Sequence, residues 1–286
     1  MPPKGIRNAL KWRRLIKRGP DKSPTFLLVE SAWENFKRRD DRYHVPIELV
    51  RAYRRHGIPT VFWNKEDPMH FEKFLPIALE CDVVLTTDSA SVSAYTESGC
   101  RGVIDCMLFA AQPELHRPYL AKDPSKKLFF AGTLRPHHED RMNGFEALIR
   151  PSLEFDLDIF SRRGAWPEDC QQHVVGSLPY LELLREYSKY SIGLNMSSIK
   201  GSDTMFPRRV VEMPMADIFV ISDECQAIRQ LFPEIPECKS PEQTRDTISH
   251  FLQCESERLS ITSALKQRIT QEHCYHHRVD QILSAI

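Results

Sequence analysis

Reactive side chains are concentrated in one short stretch of the chain, directly after Trp63. The stretch contains an amide, a cation, two carboxylates and an imidazole in the order Asn64-Lys65-Glu66-Asp67-Pro68-Met69-His70. Carboxylates and imidazoles are the groups that carry general acid–base chemistry. The alternative is a helix start in a solvated loop, because Asp and Pro also favour that position.

A second polar stretch has the residue types that bind a diphosphate. Asn195-Met196-Ser197-Ser198 is followed by a glycine and hydroxyl groups between Gly201 and Thr204, and then by a predicted helix start. Backbone N–H groups and the positive end of a helix dipole attract phosphate. Arg208, Arg209 and Glu212 lie in the first turns, where the glutamate can accept hydrogen bonds from ribose hydroxyl groups. The competing interpretation is that the arginines are solvated or salt-bridged.

Two further stretches also come at predicted strand ends. Gly132 and Thr133 would let backbone N–H groups approach a phosphate, and Arg135 and Arg141 would add charge-assisted contacts. An ordinary turn between a strand and a helix explains the same residues equally well. The stretch Phe109–His116 either lines a binding cleft or only connects two domains.

Two clusters of metal-ligand residue types do not have the pattern of a metal site. In His137-His138-Glu139-Asp140 the residues are adjacent, and adjacent residues rarely converge on one ion. His273 and His277 share a helix face, but the sequence indicates no third and fourth ligand for zinc. We therefore predict no metal and no cofactor.

Short apolar runs alternate with helical stretches along the whole chain, which is typical of a mostly parallel sheet covered by helices. A polar, proline-containing segment at 112–127 interrupts the series. The predicted organisation is a basic leader at 1–24, a Rossmann-like domain at 25–118 and a second Rossmann-like domain at 119–286. The predicted strands are 26–29, 60–63, 83–86, 102–106, 127–131, 157–160, 191–195 and 218–222, and the predicted helices are 45–56, 71–80, 140–149, 180–187, one starting at 206 and a long polar stretch at 255–286.

Composition excludes several classes of protein. Basic and acidic residues balance at 39 each, which argues against a nucleic-acid-binding protein. No apolar run approaches the roughly 20 residues that cross a bilayer. The eight cysteines form no C-x-x-C pair, so we expect reduced thiols and a cytoplasmic location. The basic leader is either solvated or an amphipathic helix that touches anionic lipid.

Several motifs resemble those of the CgeB-like glycosyltransferases, a family similar to the spore maturation protein CgeB. The resemblance runs in order from about residue 26 to the end of the chain, where His273-Cys274-Tyr275-His276-His277-Arg278 resembles the terminal H-x-Y-x-x-R stretch of the family. The other motifs are VESAW (29–33), GIPTVFWNKEDPMHF (57–71), TTD (86–88), FAAQPELH (109–116), FAG (130–132) and TMFPRRVVE (204–212).

The resemblance implies an α/β protein of the GT-B type, with two Rossmann-like domains that face a cleft, and the transfer of a sugar from a nucleotide-diphosphate sugar to an unknown acceptor. It also implies that no metal takes part. By the resemblance, Gly132 and Thr133 would face the diphosphate, residues 204–209 would frame the donor loop and Glu212 would hold the ribose, while Asn64, Glu66, Asp67 and His70 would line the acceptor side. With the stretches described above, the predicted donor-binding residues are Gly132, Thr133, Arg135, Asn195, Ser202, Thr204, Met205, Phe206, Arg208, Arg209 and Glu212, and the predicted acceptor-side residues include Asn64, Lys65, Asp88 and His116.

In such a transfer the protein stabilises the leaving diphosphate and, for inversion, deprotonates the acceptor. Arg208 or Arg209, with the loop 202–204, is our candidate for the first role. Asp67, Glu66 or His70 is our candidate for the second.

The sequence also departs from the family pattern. Thr204 stands where many relatives have a glutamate, eight positions before Glu212, and Pro214 is expected to kink the helix that follows. Asp217 stands where relatives often have a small turn residue. The first domain is short, so a partner protein or a second copy could complete it. The alternative function is therefore a degenerate protein that binds a nucleotide, a glycan or a partner without turnover.

Overall fold

The chain folds into two compact α/β units in a computed structural model that describes residues 24–31, 44–119, 126–162, 164 and 166–286. The first unit contains the described residues up to Leu108 together with Val279–Ile286, and the second is Phe109–Arg278. The predicted basic leader lies outside the described residues except for Pro24, and so does Trp33 of the VESAW motif.

The first unit is built on parallel strands in the order β1-β2-β3-β4. Strands β2 and β3 are continuous apolar runs because both faces of a parallel sheet are buried. Phe62, Phe74 and Tyr95 are fully buried in the core. The elements are β1 (Leu27–Glu30), α1 (His44–Arg55), β2 (Thr60–Asn64), α2 (Phe71–Ala78), β3 (Val83–Thr86), α3 (Ser91–Glu97) and β4 (Val103–Cys106).

The second unit is also built on a parallel sheet, with the strand order β6-β5-β7-β8-β9. Its core is rich in aromatic residues, and Trp166 packs edge-on against Phe130 and tilted against Phe145. The elements are β5 (Lys126–Ala131), α4 (Glu139–Gly144), α5 (Arg150–Ser152), β6 (Leu157–Phe160), α6 (Tyr180–Glu186), β7 (Tyr190–Asn195), α7 (Arg209–Met215), β8 (Phe219–Asp223), α8 (Gln226–Leu231), β9 (Glu237–Cys238), α9 (Pro241–Gln253) and α10 (Glu255–Glu272). The last helix, α11 (Tyr275–Ala285), begins in this unit, and its residues from Val279 on belong to the first unit.

All eight predicted strands are present, and the predicted α/β class with parallel sheets is confirmed. The helix predicted at 140–149 begins as α4 but continues as a π-helical turn over Phe145–Ile149. The helix predicted from Phe206 begins only at Arg209. No helix within the described ranges combines the length and the apolar character that crossing a bilayer requires.

The terminal helical stretch is two helices, because the chain turns at His273 and Cys274. Ala111 forms an isolated parallel bridge with Cys274, through hydrogen bonds from Ala111 N–H to the His273 carbonyl and from Tyr275 N–H to the Ala111 carbonyl. These bonds explain why the boundary between the units falls at Leu108–Phe109, earlier than the predicted 118–119.

The strand ends bring the predicted polar stretches together within each unit. In the first unit β2 and β3 are neighbours, so the stretch after Asn64 lies beside the one after Thr86. In the second unit β7 lies between β5 and β8, so the residues after Ala131, Asn195 and Asp223 meet at one edge of the sheet. Ligands of open α/β sheets bind at such an edge.

Close packing at this edge makes Gly144 a sensitive position. A methyl group there would lie 2.3 Å from Oδ2 of Asp223 and 2.9 Å from Cγ of Met196, both of which are buried. We expect Gly144→Ala to lower the free energy of unfolding by about 1–3 kcal/mol, although alanine favours a helix. Urea unfolding followed by circular dichroism measures the change. Gly201→Ala is the control, since no atom lies within 4 Å of its added methyl group; equal stability of the two variants would contradict the prediction.

Candidate functional site

In the first unit, the polar stretch after β2 is organised by the buried carboxylate of Asp67. Its Oδ1 accepts a hydrogen bond from Asn64 Nδ2 at 2.6 Å. Its Oδ2 accepts from Thr86 Oγ1 at 2.7 Å and from the Tyr95 hydroxyl at 2.9 Å. Asn64 Nδ2 also donates to the Tyr95 oxygen at 2.8 Å. Burial raises the pKa of Asp67 to about 6.

The three predicted general bases differ in their exposure to solvent. Asp67 is fully buried and bonded through both oxygens, a geometry that suits a residue that positions the loop. Glu66 and His70 are partly exposed, and backbone bonds hold them, since Glu66 N–H donates to Asn64 Oδ1 and His70 N–H donates to the Glu66 carbonyl. The base role of any of the three stays a prediction.

The remaining acceptor-side residues of the first unit have structural partners. Lys65 Nζ forms an ion pair with Glu30 Oε2 at 2.5 Å, and its backbone N–H donates to Ser31 Oγ. Asp88 is buried and accepts a hydrogen bond from Ser91 Oγ at 2.7 Å. Asp88 therefore fixes the start of α3.

In the second unit, Arg141 links the loop after β5 to the loop after β7. Its Nη2 donates to the Thr133 carbonyl at 2.8 Å, and its Nη1 donates to Ser198 Oγ at 3.0 Å and the Met196 carbonyl at 3.3 Å. Burial, followed by repulsion from Arg209 and Arg135, lowers the pKa of Arg141 to about 10. The guanidinium groups of Arg209 and Arg135 are thus both close enough to Arg141 to repel it.

The loop between β7 and α7 is held by its own side chains and by α8. Ser202 is buried, and its Oγ accepts from the backbone N–H groups of Met205 and Thr204. The backbone N–H of Gln226 donates to the Lys200 carbonyl, and the Gln226 side chain donates to Asp203. This loop holds five of the eleven predicted donor-binding residues: Ser202, Thr204, Met205, Phe206 and Arg208.

Beneath the loop lies a buried polar layer formed by the ends of β7 and β8. Asn195 Nδ2 donates to Ser222 Oγ at 2.9 Å, and Ser197 N–H donates to Asp223 Oδ1 at 2.9 Å. Burial raises the pKa of Asp223 to about 6, although Lys200 Nζ lies 3.4 Å from Oδ2. The predicted donor residue Asn195 therefore supports the loop from below.

Glu212 is buried in α7 beside three polar side chains. His116 Nε2 lies 3.7 Å from Glu212 Oε1, and Arg208 Nη1 lies 3.8 Å from the same oxygen. Burial and the neighbouring Glu212 carboxylate raise the pKa of Tyr180. The Arg208 guanidinium also lies over the Tyr180 ring, 5.9 Å from its centroid.

The placement of His116 corrects one prediction. We assigned it to the acceptor side of the first domain, but it lies in the second unit and hydrogen-bonds to Tyr180 at 2.7 Å. The stretch Phe109–His116 joins the second unit because Phe109 and Ala111 bond to its terminal helices. Tyr180 itself was missed, since an aromatic residue at a helix start gives no distinct sequence signal.

The two departures in and after α7 have local explanations. Pro214 lies in the last turn, and the helix ends at Met215, so the proline terminates the helix rather than kinking a longer one. Asp217 adopts a left-handed conformation with φ of 59°, as a turn residue does, and its carboxylate pairs with Lys266 at 2.6 Å.

The terminal motif has a structural role. Arg278 Nη2 donates to His273 Nδ1 at 3.1 Å and to the Phe109 carbonyl at 3.4 Å. His273 is buried against Phe232, and burial with repulsion from Arg278 lowers its pKa to about 4. These bonds hold the Phe109–His116 stretch in the second unit.

Comparison with known proteins agrees with the fold. The sequence profile of the family described as glycosyl transferase-like matches residues 141–284, and the chain belongs to this family. A search of the curated proteins finds no match.

Solved structures show the same GT-B fold at low sequence identity. HepE from Anabaena, in complex with UDP and glucose, has a TM-score of 0.63 and 11% identity, with 99% of this chain and 84% of HepE covered. TarM has a TM-score of 0.62 and 8% identity, with 97% of this chain but only 57% of TarM covered. The N-terminal domain of Candida albicans trehalose-6-phosphate phosphatase has a TM-score of 0.54 and 10% identity, with 98% and 82% covered.

The Asp67 cluster predicts that the Tyr95 hydroxyl stabilises the first unit. Tyr95→Phe leaves Asp67 and Asn64 each without one hydrogen-bond partner, and we expect it to lower the free energy of unfolding by about 1–3 kcal/mol. Urea unfolding measures the loss. Tyr53→Phe on α1 is the matched control, because its hydroxyl forms no hydrogen bond with the described residues. If the two substitutions lower the free energy of unfolding equally, the predicted stabilising role of the Tyr95 hydroxyl is wrong.

The buried His273 predicts a dependence of stability on pH. Its folded pKa of about 4 lies below the ordinary 6.5, so its contribution is present above pH 6.5 and is lost as the pH falls towards 4. The difference between the two pKa values corresponds to about 3 kcal/mol in the free energy of unfolding. The raised pKa values of Asp67 and Asp223 change the stability in the opposite direction as the pH falls. The contribution of His273 is therefore measured by comparing the protein with a variant that lacks this residue. The stability of His273→Gln should fall less than that of the unmodified protein between pH 6.5 and 4; parallel curves would be inconsistent with a buried neutral imidazole.

Proposed function

We propose that the chain is a CgeB-like glycosyltransferase that moves a hexose from a uridine-diphosphate sugar to an acceptor. Membership of the glycosyl transferase-like family supports the reaction class. HepE, which shares the fold, has been solved with UDP and with UDP-glucose. The motifs quoted above support the finer CgeB-like assignment.

The main support for the proposal is the cluster of three arginines, Arg135, Arg141 and Arg209, at the ends of the strands in the second sheet. Arg141 is buried, and Arg209 and Arg135 both repel it. Neither Arg209 nor Arg135 forms an ion pair within the described part of the chain. A diphosphate bound there would relieve the repulsion and form charge-assisted hydrogen bonds. Gly132 follows β5 at the same strand end, and the position needs a glycine because a side chain there would meet the Phe130 ring.

The same geometry suggests how the remainder of the donor binds. Glu212 is three positions after Arg209 on α7, so ribose hydroxyl groups next to a bound diphosphate would meet its carboxylate. During transfer, Arg209 and the loop 202–204 would stabilise the charge that develops on the leaving diphosphate. Glu66 or His70 is our proposed base for the acceptor, because both are less buried than Asp67. No metal is required by this arrangement.

A second function is favoured by one residue. Thr204, rather than the glutamate that many relatives have eight positions before Glu212, lies partly buried in the loop before α7. A protein with this change could bind the nucleotide without transferring the sugar. Binding of UDP without any turnover of UDP-glucose would favour this function.

We also propose a cytoplasmic location, supported by the eight cysteines, all of which are free thiols. The acceptor, and a second copy or partner protein that completes the first domain, are likewise proposals. They rest on the sequence pattern alone.

The donor site can be tested with UDP and one charge-removing variant. A saturating ligand at about 100 times its Kd adds about 2.7 kcal/mol of stability, which a thermal-shift assay detects. Arg209→Gln should weaken UDP binding about 10–100-fold, because a charge-assisted hydrogen bond contributes about 1.5–3 kcal/mol. Isothermal titration calorimetry measures the Kd of UDP for the unmodified protein and for Arg209→Gln.

Arg245→Gln is the matched control for this test. Arg245 is an exposed arginine of the second unit that pairs with Glu154 on the surface, so its loss should leave UDP affinity unchanged. Failure of the unmodified protein to bind UDP, or equal affinities for the two arginine variants, would overturn the proposed site.

A further inference from the structure

Hydrogen bonds between His116 and its neighbours fix which ring nitrogen carries the proton. The backbone N–H of Gln112 donates to His116 Nδ1 at 2.9 Å, so this nitrogen must be the unprotonated acceptor. Burial lowers the pKa of His116, which favours the neutral ring. The single proton of the neutral ring is therefore on Nε2, which faces the Tyr180 oxygen at 2.7 Å.

The next bond in the series also has only one possible direction. Tyr180 accepts the Nε2–H of His116, and its own proton is then free to point to Glu212. A carboxylate can only accept, so the Tyr180 hydroxyl is the donor toward Glu212. The series runs from Gln112 N–H to His116, whose Nε2 lies 2.7 Å from the Tyr180 oxygen and 3.7 Å from Glu212 Oε1.

This series holds a carboxylate that nearly lacks solvent contact. Glu212 is 3% exposed, and the only basic group that pairs with it in the described residues, besides His116, is Arg208, at 3.8 Å. A buried carboxylate needs hydrogen-bond donors to stay ionised and in one orientation. Arg208 is half exposed and long, so it fixes the orientation less firmly than the pair formed by the buried His116 ring and the partly buried Tyr180 ring.

We infer that His116 and Tyr180 are positioning residues that orient the Glu212 carboxylate for the ribose hydroxyl groups of the donor. The inference rests on the proposed function, because it assumes that a ribonucleotide binds beside α7. Neither side chain needs to touch the nucleotide. Their effect is selectivity for a ribonucleotide over its 2′-deoxy counterpart, since a carboxylate in the wrong orientation cannot accept the 2′-hydroxyl bond.

The ratio of the Kd values for 2′-deoxy-UDP and UDP measures this selectivity. We expect the unmodified protein to prefer UDP, and Tyr180→Phe to reduce the preference by about tenfold, which is the value of a hydrogen bond to a charged group. His116→Gln keeps an N–H at the position of Nε2, so it should retain more of the preference than His116→Ala. If Tyr180 and His116 had a purely structural role, their substitution would weaken the binding of both nucleotides equally and leave the ratio of Kd values unchanged.

Tyr190→Phe is the matched control variant. Tyr190 is a buried tyrosine of the second unit whose hydroxyl donates to the carboxylate of Asp158 at 2.6 Å, and this bond joins β7 to β6 rather than reaching α7. We expect Tyr190→Phe to lower stability without changing the ratio.

The outcomes separate the inference from the proposed function. If the unmodified protein does not bind UDP, the proposed function and the inference both fail. If it binds UDP with a preference for the ribose form and folded Tyr180→Phe retains that preference, the inference alone fails. If Tyr190→Phe reduces the ratio as strongly as Tyr180→Phe, the effect is general and the inference also fails.

Discussion

The burial of ionisable side chains at the ends of parallel strands is the constraint on which both units depend. Asp67, Asp223 and Glu212 are each less than 4% exposed, and an isolated buried carboxylate is strongly unfavourable. Each is therefore surrounded by donors from several elements, so that the loops carrying these donors are fixed. The same hydrogen bonds that make burial tolerable also give the candidate site its shape.

The strands were predictable because parallel sheets leave a simple pattern. The four residues of β3 and the six of β7 are apolar or small at almost every position, and their bounds follow closely from the sequence. Strand β9 has only two residues and leaves no pattern. The break between α10 and α11 was missed because it depends on bonds between residues 109–111 and 273–275, which lie far apart in the sequence.

The candidate site was predictable by residue type but not by role. The stretches after β2, β5 and β7 were identified because reactive residues follow apolar runs. Sequence alone does not give exposure, so it could not show that Asp67 is enclosed while Glu66 and His70 are not. His116 was assigned to the wrong unit for a related reason, since its bonds to Tyr180 and Glu212 span 64 and 96 positions of the sequence.

A crystal structure of the chain with UDP tests the central claim most directly, that the second unit holds a nucleoside diphosphate at the end of its sheet. We predict that the diphosphate oxygens lie within hydrogen-bond distance of Arg209 or Arg135 and of the backbone at Gly132 and Thr133. We also predict that a ribose hydroxyl donates to Glu212. A nucleotide bound elsewhere, with the three arginines and Glu212 making no contact to it, would contradict the account.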